Sequence, residues 1–356
     1  NVTRLSAKRR DDAPAISSRW LWRLNTLARG ALGEAGAAKA LGPAPDRDPR
    51  IWLNALRHPR PLENFTAEPR PTPPVEFRPK RLSVTRIETL QRDPYGIYAQ
   101  YILGLTKLDT LDMAVDARPR GTAIHAALEK FEEDGVEKSA DSLVTMLEAE
   151  LRAAGEAEEI ILGAVASRRK TAEEYIAWRK ERLHLLAGRP HTEIKGAHDF
   201  PLGGETFKLT ATADRVEKHQ DGTLAILDFK SGAPPGEGEV RTGLNPQMPL
   251  QAIIAAEGGF AEKGVKAASV SALTYVRFGT QFAVRNIGDH VRKDMPEKPI
   301  EEIIAETREG FLKLIGKFAD PDHPYVSMPR PKWAKYGSDY ARLARRDEWA
   351  SEDGDD

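Results

Sequence analysis

At His191 the hydrophobic period of the chain changes from that of helices to that of strands, and no other feature narrows the fold as much. Upstream, leucines at helical spacing (Leu143, Leu147, Leu151) continue into a helical stretch from Ala157 to Leu186. Downstream, His191–Pro201, Phe207–Lys218 and Thr223–Lys230 alternate with a period of two. They are separated by Gly203-Gly204 and Asp221-Gly222, which predicts a three-stranded antiparallel meander. Asn245-Pro246 then opens a helix to about Ala256, because Asn caps well and Pro suits a first helical position. Ala268–Phe278 reads as an apolar strand. Ile300, Ile303, Ile304, Thr307, Phe311, Leu314, Ile315 and Phe318 line one face of a last helix. Helices, meander, helix, strand and helix make a mixed α/β domain.

This domain is expected to begin at Arg81 and run to Ala350. Its first helix is expected to open with Thr85 and Glu88 as a capping box and to end at Asp93-Pro94. A second is expected to about Leu105 and a third from near Gly121. Residues 59–80 hold seven of the 25 prolines and are expected to be an extended linker. Before them, Ser18 to about Ala28 reads as a helix with Trp20, Leu21, Leu24 and Leu27 on one face. Residues 1–58 are too poor in periodic apolar segments for a core of their own and are read as the tail of a preceding domain. Residues 351–356 form an acidic tail, and the starting Asn1 suggests a piece of a longer chain.

A net charge of −1 hides a split, since residues 1–86 carry 17 basic and 8 acidic side chains and leave 36 and 46 to the rest. Such asymmetry points to nucleic acid better than the total does, and the basic part is expected to lie near a DNA backbone or a partner subunit. Eleven acids against three bases between Glu129 and Glu159 mark a solvated helical region. The absence of cysteine excludes disulfides, thiolate zinc sites and cysteine-bound iron-sulfur clusters, and fits a cytoplasmic location. No apolar run reaches the roughly 18 residues of a membrane span. Gly259–Gly264 has Walker spacing but is followed by Val265 and Lys266, so ATP hydrolysis is not expected here.

The chemistry concentrates in Leu209–Lys230. Asp228 and Lys230 share a face of their strand. If Gln220, Asp221 and Gly222 form a three-residue hairpin loop with Gly222 left-handed, paired residue numbers sum to 442 and Asp214 sits opposite Asp228. Two carboxylates so placed repel each other, and a divalent ion such as Mg²⁺ would answer them. Lys230 would then stabilise charge on a scissile phosphate or orient the attacking water. The plainer alternative pairs Asp214 with Arg215 or Lys218 and makes Asp228 and Lys230 an ordinary exposed ion pair. His125 and Glu129 share a helix face at i,i+4, as do Gln247 and Gln251 on a helix whose start suits a phosphate. Taken alone, each of these pairs is commoner as structure or surface than as a site.

In order, G-T-x-x-H-x-x-L-E from Gly121, A-D-R-V from Ala213, L-D-F-K-S-G from Leu227 and Q-x-x-x-Q from Gln247 resemble the PD-(D/E)XK nucleases of the RecB-like kind. The flanks RLSVTRIETLQRDPYGIYAQYILGL and YARLARRDEWA narrow the resemblance to the C-terminal nuclease domain of the AddB family, over about Arg81–Ala350. Those proteins belong to bacterial helicase-nucleases that process double-strand DNA ends for recombinational repair. The resemblance implies a restriction-endonuclease-like α/β core and a Mg²⁺-dependent single-strand endo- or exonuclease, with Mn²⁺ as a substitute ion. It implies His125, Asp214 and Asp228 as metal ligands with the Phe229 carbonyl as a fourth. It makes Lys230 the catalytic lysine and places Gln247 and Gln251 at DNA, Gln247 as part of the catalytic set. Unwound DNA and an AddA-like helicase-nuclease subunit are the implied partners.

Three departures stand out. Asp93 precedes Pro94 where many relatives carry a cluster cysteine, and Tyr336–Arg346 has none, so packing must hold the C-terminal segment. Gln251 stands where relatives often have Tyr. Glu193 matches an acidic position of the first strand on one residue alone. The rival readings are a nuclease fold that binds single-stranded DNA or a helicase without cutting, and a free-standing RecB-like exonuclease.

Overall fold

The computed structural model describes residues 9–10, 13–14, 18–42, 49–57, 68–106, 117–133, 135–289, 297–329 and 338–349. The chain divides into two units, Asn1–Thr66 and Ala67–Asp356. The first holds a two-stranded antiparallel pair, β1 (Arg9–Arg10) and β2 (Ala13–Pro14), and two helices, α1 (Arg19–Leu41) and α2 (Pro49–Arg57). Ser18 caps α1 by accepting the Leu21 amide, and Gly33, at φ 71°, kinks it. The helix runs well past the expected end at Ala28, and the face carrying Trp20, Leu24 and Leu27 is exposed.

The second unit is a six-stranded mixed sheet covered on both faces. Short β3 (Arg81–Ser83) leads into α3 (Val84–Arg92), α4 (Pro94–Ile97) and a π-helical turn, Tyr98–Ile102. The helical layer follows: α5 (Ala117–Phe131), α6 (Ala140–Ala153), α7 (Glu158–Gly163) and α8 (Val165–Arg182). The meander is β4 (His191–Leu202), β5 (Glu205–Lys218) and β6 (Leu224–Lys230), antiparallel as expected. Helices α9 (Glu237–Arg241) and α10 (Gln247–Ala256) then cross over to β7 (Val270–Phe278), parallel to β6, and β8 (Phe282–Asn286) closes the sheet edge. The long helix α11 (Ile300–Ala319) and a final turn, α12 (Arg346–Trp349), complete it.

Alternation along the strands explains the two cores. Leu224, Ile226, Leu273 and Tyr275 face a cluster with Ile87, Leu90, Ile253, Phe311 and Ile315 of α3, α10 and α11. Ala225, Leu227, Phe229, Val276 and Phe278 face one with Ile124, Leu128, Leu147 and Tyr175 of α5, α6 and α8. The buried strand β6 thus sits between two apolar layers, as the run AILDF requires.

Several local expectations change. Ser83, not Thr85, caps α3: its hydroxyl accepts the Arg86 amide, and Thr85 bonds to Ser83 instead. Asn245 does not cap α10. Its amide group accepts the Tyr275 hydroxyl at 3.1 Å and donates to Glu88 at 3.2 Å. The expected linker falls in two parts: residues 59–67 lie outside those described, while the remainder is tied into the second unit. There the Arg78 guanidinium donates to the carbonyls of Pro73, Phe318, Asp320 and Pro321. The C-terminal segment is held by side chains. Tyr340 donates to Leu105 O at 2.9 Å, Tyr95 to Leu343 O at 3.5 Å and Arg346 to Ser327 O at 3.4 Å. The acidic tail 351–356 lies outside the described residues. Among the described residues no helix is long and apolar enough to cross a membrane.

Candidate active site

The hairpin between β5 and β6 has the expected register. Arg215 pairs with Leu227, Val216 with Ile226, Glu217 with Ala225 and Lys218 with Leu224. His219 N–H donates to Thr223 O at 2.9 Å, and Gly222 at φ 88° supplies the left-handed residue of the three-residue loop. The bonded ladder ends at Arg215, one step short of Asp214 and Asp228.

At that step the strand alternation breaks. Ala213 and Val216, three apart, both pack into the α3–α10–α11 core, where strict alternation would separate them. Across from Asp214 on β4, Glu193 has φ 48°, a left-handed conformation that side chains adopt at a cost. Irregularities of this kind re-aim side chains at functional edges. Here Asp214 turns toward the helical layer, and its Oδ2 accepts the Phe229 amide at 2.8 Å.

Helix α5 brings the histidine. Ile124, Ala127, Leu128 and Phe131 seat it on the sheet, and this face points His125 at the end of β6. His125 Nε2 lies 3.0 Å from Phe229 O, and Nδ1 lies 3.4 Å from Glu193 Oε1 and 3.5 Å from Asp214 Oδ2. A carbonyl only accepts, so Nε2 carries a hydrogen in this arrangement and Nδ1 is the nitrogen that faces the acids. Immediately after α5 ends, the buried Glu132 accepts Arg215 at 2.6 Å and Arg179 at 2.8 Å. Arg215 also holds Glu217 at 2.8 Å, and Glu217 holds Arg182 at 2.6 Å. Adjacent residues of β5, Asp214 and Arg215, therefore meet His125 of α5 and Glu132 just past its C-terminal end, which ties α5 to the strand in register. Arg215 is spent on this network and is not the partner of Asp214.

Asp228 is buried, at 1% exposure, and is gripped from the other side. Its Oδ1 accepts Gln247 Nε2 at 2.8 Å, and its Oδ2 lies 2.6 Å from Lys230 Nζ. The pair exists, but its carboxylate is not an exposed one. Gln247 thus reaches the site, as expected. Gln251 requires a correction: it is fully buried, its Nε2 donates to Thr212 O at 3.0 Å, and it presents nothing to DNA.

The electrostatics follow from this crowding. Burial first, and the Asp228 charge second, push the Asp214 carboxyl up to about 7, against the opposing pull of His125 and the Phe229 amide. Burial is the largest influence on His125 and disfavours its charge, but Glu193, Asp214 and Asp228 outweigh it and raise its pKa. Burial likewise works against the Lys230 ammonium, and Asp228, Asp214 and Glu88 together hold its pKa above the ordinary value. Glu193, Asp214 and Asp228 thus converge on His125, and Asp228 and Asp214 on Lys230.

That donor set suits a hard divalent cation. One ligand atom each of His125, Glu193 and Asp214 lies within 4.8 Å of the others, and an open cavity of about 560 Å³ reaches His125 and Glu193 past Gly121, Glu129 and Ser231. Among side chains the compact set differs from the expected one in a single member: Glu193 stands beside His125 and Asp214, whereas Asp228 is engaged by Lys230 and Gln247. Only its place on the first strand hinted at Glu193, and its left-handed backbone has no signature in the residue type.

Fold and site together define the class: a restriction-endonuclease-like α/β core with carboxylates, a histidine and a lysine gathered where two central strands part. The chain belongs to the PD-(D/E)XK nuclease superfamily, whose family model matches residues 81–332. Among curated relatives it is 29% identical over 211 residues to an uncharacterised protein of Rickettsia typhi, covering 56% of this chain and 24% of that one. It is 25% identical over 191 residues to an ATP-dependent helicase/deoxyribonuclease subunit of Streptococcus agalactiae, covering 49% and 16%. The chain thus spans about a quarter or less of the length of these relatives. A solved protein of Eubacterium rectale, proposed to be an exonuclease, aligns with 75% of this chain and 89% of its own at 13% identity and a TM-score of 0.35.

Proposed function

We propose that the chain is a divalent-cation-dependent deoxyribonuclease that cuts single-stranded DNA and works beside an AddA-like subunit in processing double-strand ends for recombinational repair. The observation that supports it most is the meeting of His125, Asp214, Asp228 and Lys230 at the parting of β5 and β6, with Gln247 on Asp228. Asp214 and His125, with Glu193 beside them and the Phe229 carbonyl at hand, would hold Mg²⁺ or Mn²⁺; Asp228 would complete the ion's surroundings from the second strand. When bound, such an ion polarises a phosphoryl oxygen and lowers the pKa of a ligated water. Lys230, held as an ammonium by Asp228, would face the charge that develops on the phosphate. Gln247 would fix the Asp228 carboxylate and, at the first turn of α10, stand where a DNA phosphate enters. The likeness to the streptococcal helicase/deoxyribonuclease protein, though it covers half of this chain, supports the partner and the repair role.

The test is cleavage of end-labelled single-stranded DNA by wild type and by Asp228→Ala, in Mg²⁺ and in EDTA. Cutting by wild type in Mg²⁺ alone, with the variant at least about 100-fold slower, is expected. Equal cutting by both proteins removes Asp228 from the chemistry. Binding without cutting by either would make the chain a non-cleaving DNA-binding module.

A further inference from the structure

Strand β5, which carries Asp214, has a discontinuous edge. β3 pairs with it in parallel only as far as Thr210, and β6 only from Arg215 onward. Ala211–Asp214 therefore have no strand across that edge among the described residues. Lys208 N–H donates to Lys80 O at 2.8 Å on the β3 side. Alternate residues turn their N–H and C=O groups the same way, so the Thr212 carbonyl points into the gap. Beyond the gap the odd-numbered His219 donates to Thr223 O, so the bonding side has switched around Asp214.

Thr212 itself is exposed, but a backbone carbonyl that has lost its neighbouring strand still calls for a donor. Thr212 O finds its donor in Gln251 Nε2, from the middle of α10. Gln251 has no exposed surface, and its Oε1 is buried without a hydrogen-bond partner, so the side chain is committed to this one bond. One turn earlier, Gln247 bonds Asp228. The two glutamines of α10 thus reach both strands at the place where their ladder fails.

We infer that Gln251 is a positioning residue for the cation site: its amide splints the break in β5 and keeps the Asp214 carboxylate turned toward His125 and the Phe229 amide. This rests on the reading that the site takes a divalent ion, and it replaces DNA contact as the role of Gln251.

The test measures Mn²⁺ and Mg²⁺ affinity of the full chain by calorimetry without DNA, then kcat and KM for a single-stranded oligonucleotide. Gln251→Met fills nearly the same volume without a donor, and Gln251→Asn keeps the amide one methylene short of Thr212. Each is expected to weaken cation binding about 10- to 100-fold, the range for residues that orient ligands, while KM for DNA at saturating metal stays within about threefold. Gln251→Glu keeps the length of the side chain and in its acid form still donates to Thr212 O, so its cation affinity is expected to approach that of wild type as the pH is lowered. If Gln251→Met does not fold, Gln251→Asn decides. Wild-type cation affinity in Gln251→Met and Gln251→Asn, or a rise in KM for DNA in place of a loss of cation binding, overturns the inference. A wild-type protein that takes up no cation overturns the metal reading as well.

Discussion

Replacing Asp214 by asparagine is expected to stabilise the protein in EDTA while abolishing cleavage. Burial and Asp228 move the Asp214 carboxyl from 3.8 to about 7, so ionising it at neutral pH works against the fold. Three pH units at roughly 1.4 kcal/mol each put a ceiling near 4 kcal/mol on that cost. Asparagine removes the charge and keeps what the carboxylate does locally. Its oxygen, at the Oδ2 position, still accepts the Phe229 amide and still faces His125 Nδ1. A gain of about 1–3 kcal/mol, or roughly 2–10 °C in Tm for a domain of this size, is expected at pH 8. The pH dependence has a definite sign. A carboxyl whose folded pKa is raised contributes stability below its unfolded pKa and loses it as pH rises through the folded one. The gap between Asp214→Asn and wild type should open between about pH 4 and 7, level off above that, and shrink when Mn²⁺ is added to wild type. Thermal melts in EDTA across this range provide the assay. A variant no more stable than wild type at pH 8, or a gap independent of pH, refutes the electrostatic account of the site.

The buried ion network should behave in the opposite way. Arg215→Ala leaves Glu132 and Glu217 each short of a partner in the interior, and chemical denaturation should show a loss of about 3–5 kcal/mol. Burial would raise the pKa of both acids, but Arg179 and Arg215 on Glu132, and His219, Arg215 and Arg182 on Glu217, outweigh it and hold each at about 2. Their folded pKa values are depressed, so the stability they contribute is present above about pH 4.5 and is lost as pH falls toward 2, which acid melts in EDTA should resolve. Gly196→Ala would bring a Cβ to 2.3 Å from the Phe260 ring and 2.6 Å from Gly259 O, and should cost about 1–3 kcal/mol in the same denaturation assay.

The meander, its register and helix α11 could be read from the chain because each is announced by local signals: a period of two, Gly at the turns, a continuous apolar face; α10 was placed by Asn245-Pro246, although Asn245 is not its cap. Strand β3 is too short for any period, and β8 alternates weakly, with its residues exposed or half-buried, so both were invisible until the sheet assembled. His125, Asp214, Asp228, Lys230 and Gln247 were legible as a set, and the structure brings them to one place. Glu193 depends on a left-handed residue opposite a break in β5, and Gln251 on a helix buried on nearly every side. Both are consequences of tertiary packing that no local pattern encodes. Arg215 shows the same limit: beside Asp214 in sequence, it bonds Glu132 83 positions away.

A Mn²⁺ soak with anomalous scattering tests the central claim most directly, because it locates the ion without requiring DNA or a partner protein. The account predicts a peak within the roughly 2.0–2.6 Å of hard-cation bonds from an Asp214 carboxylate oxygen, with His125 and either Glu193 or Asp228 completing the contact. Full occupancy elsewhere on the protein with no peak touching Asp214 would contradict it.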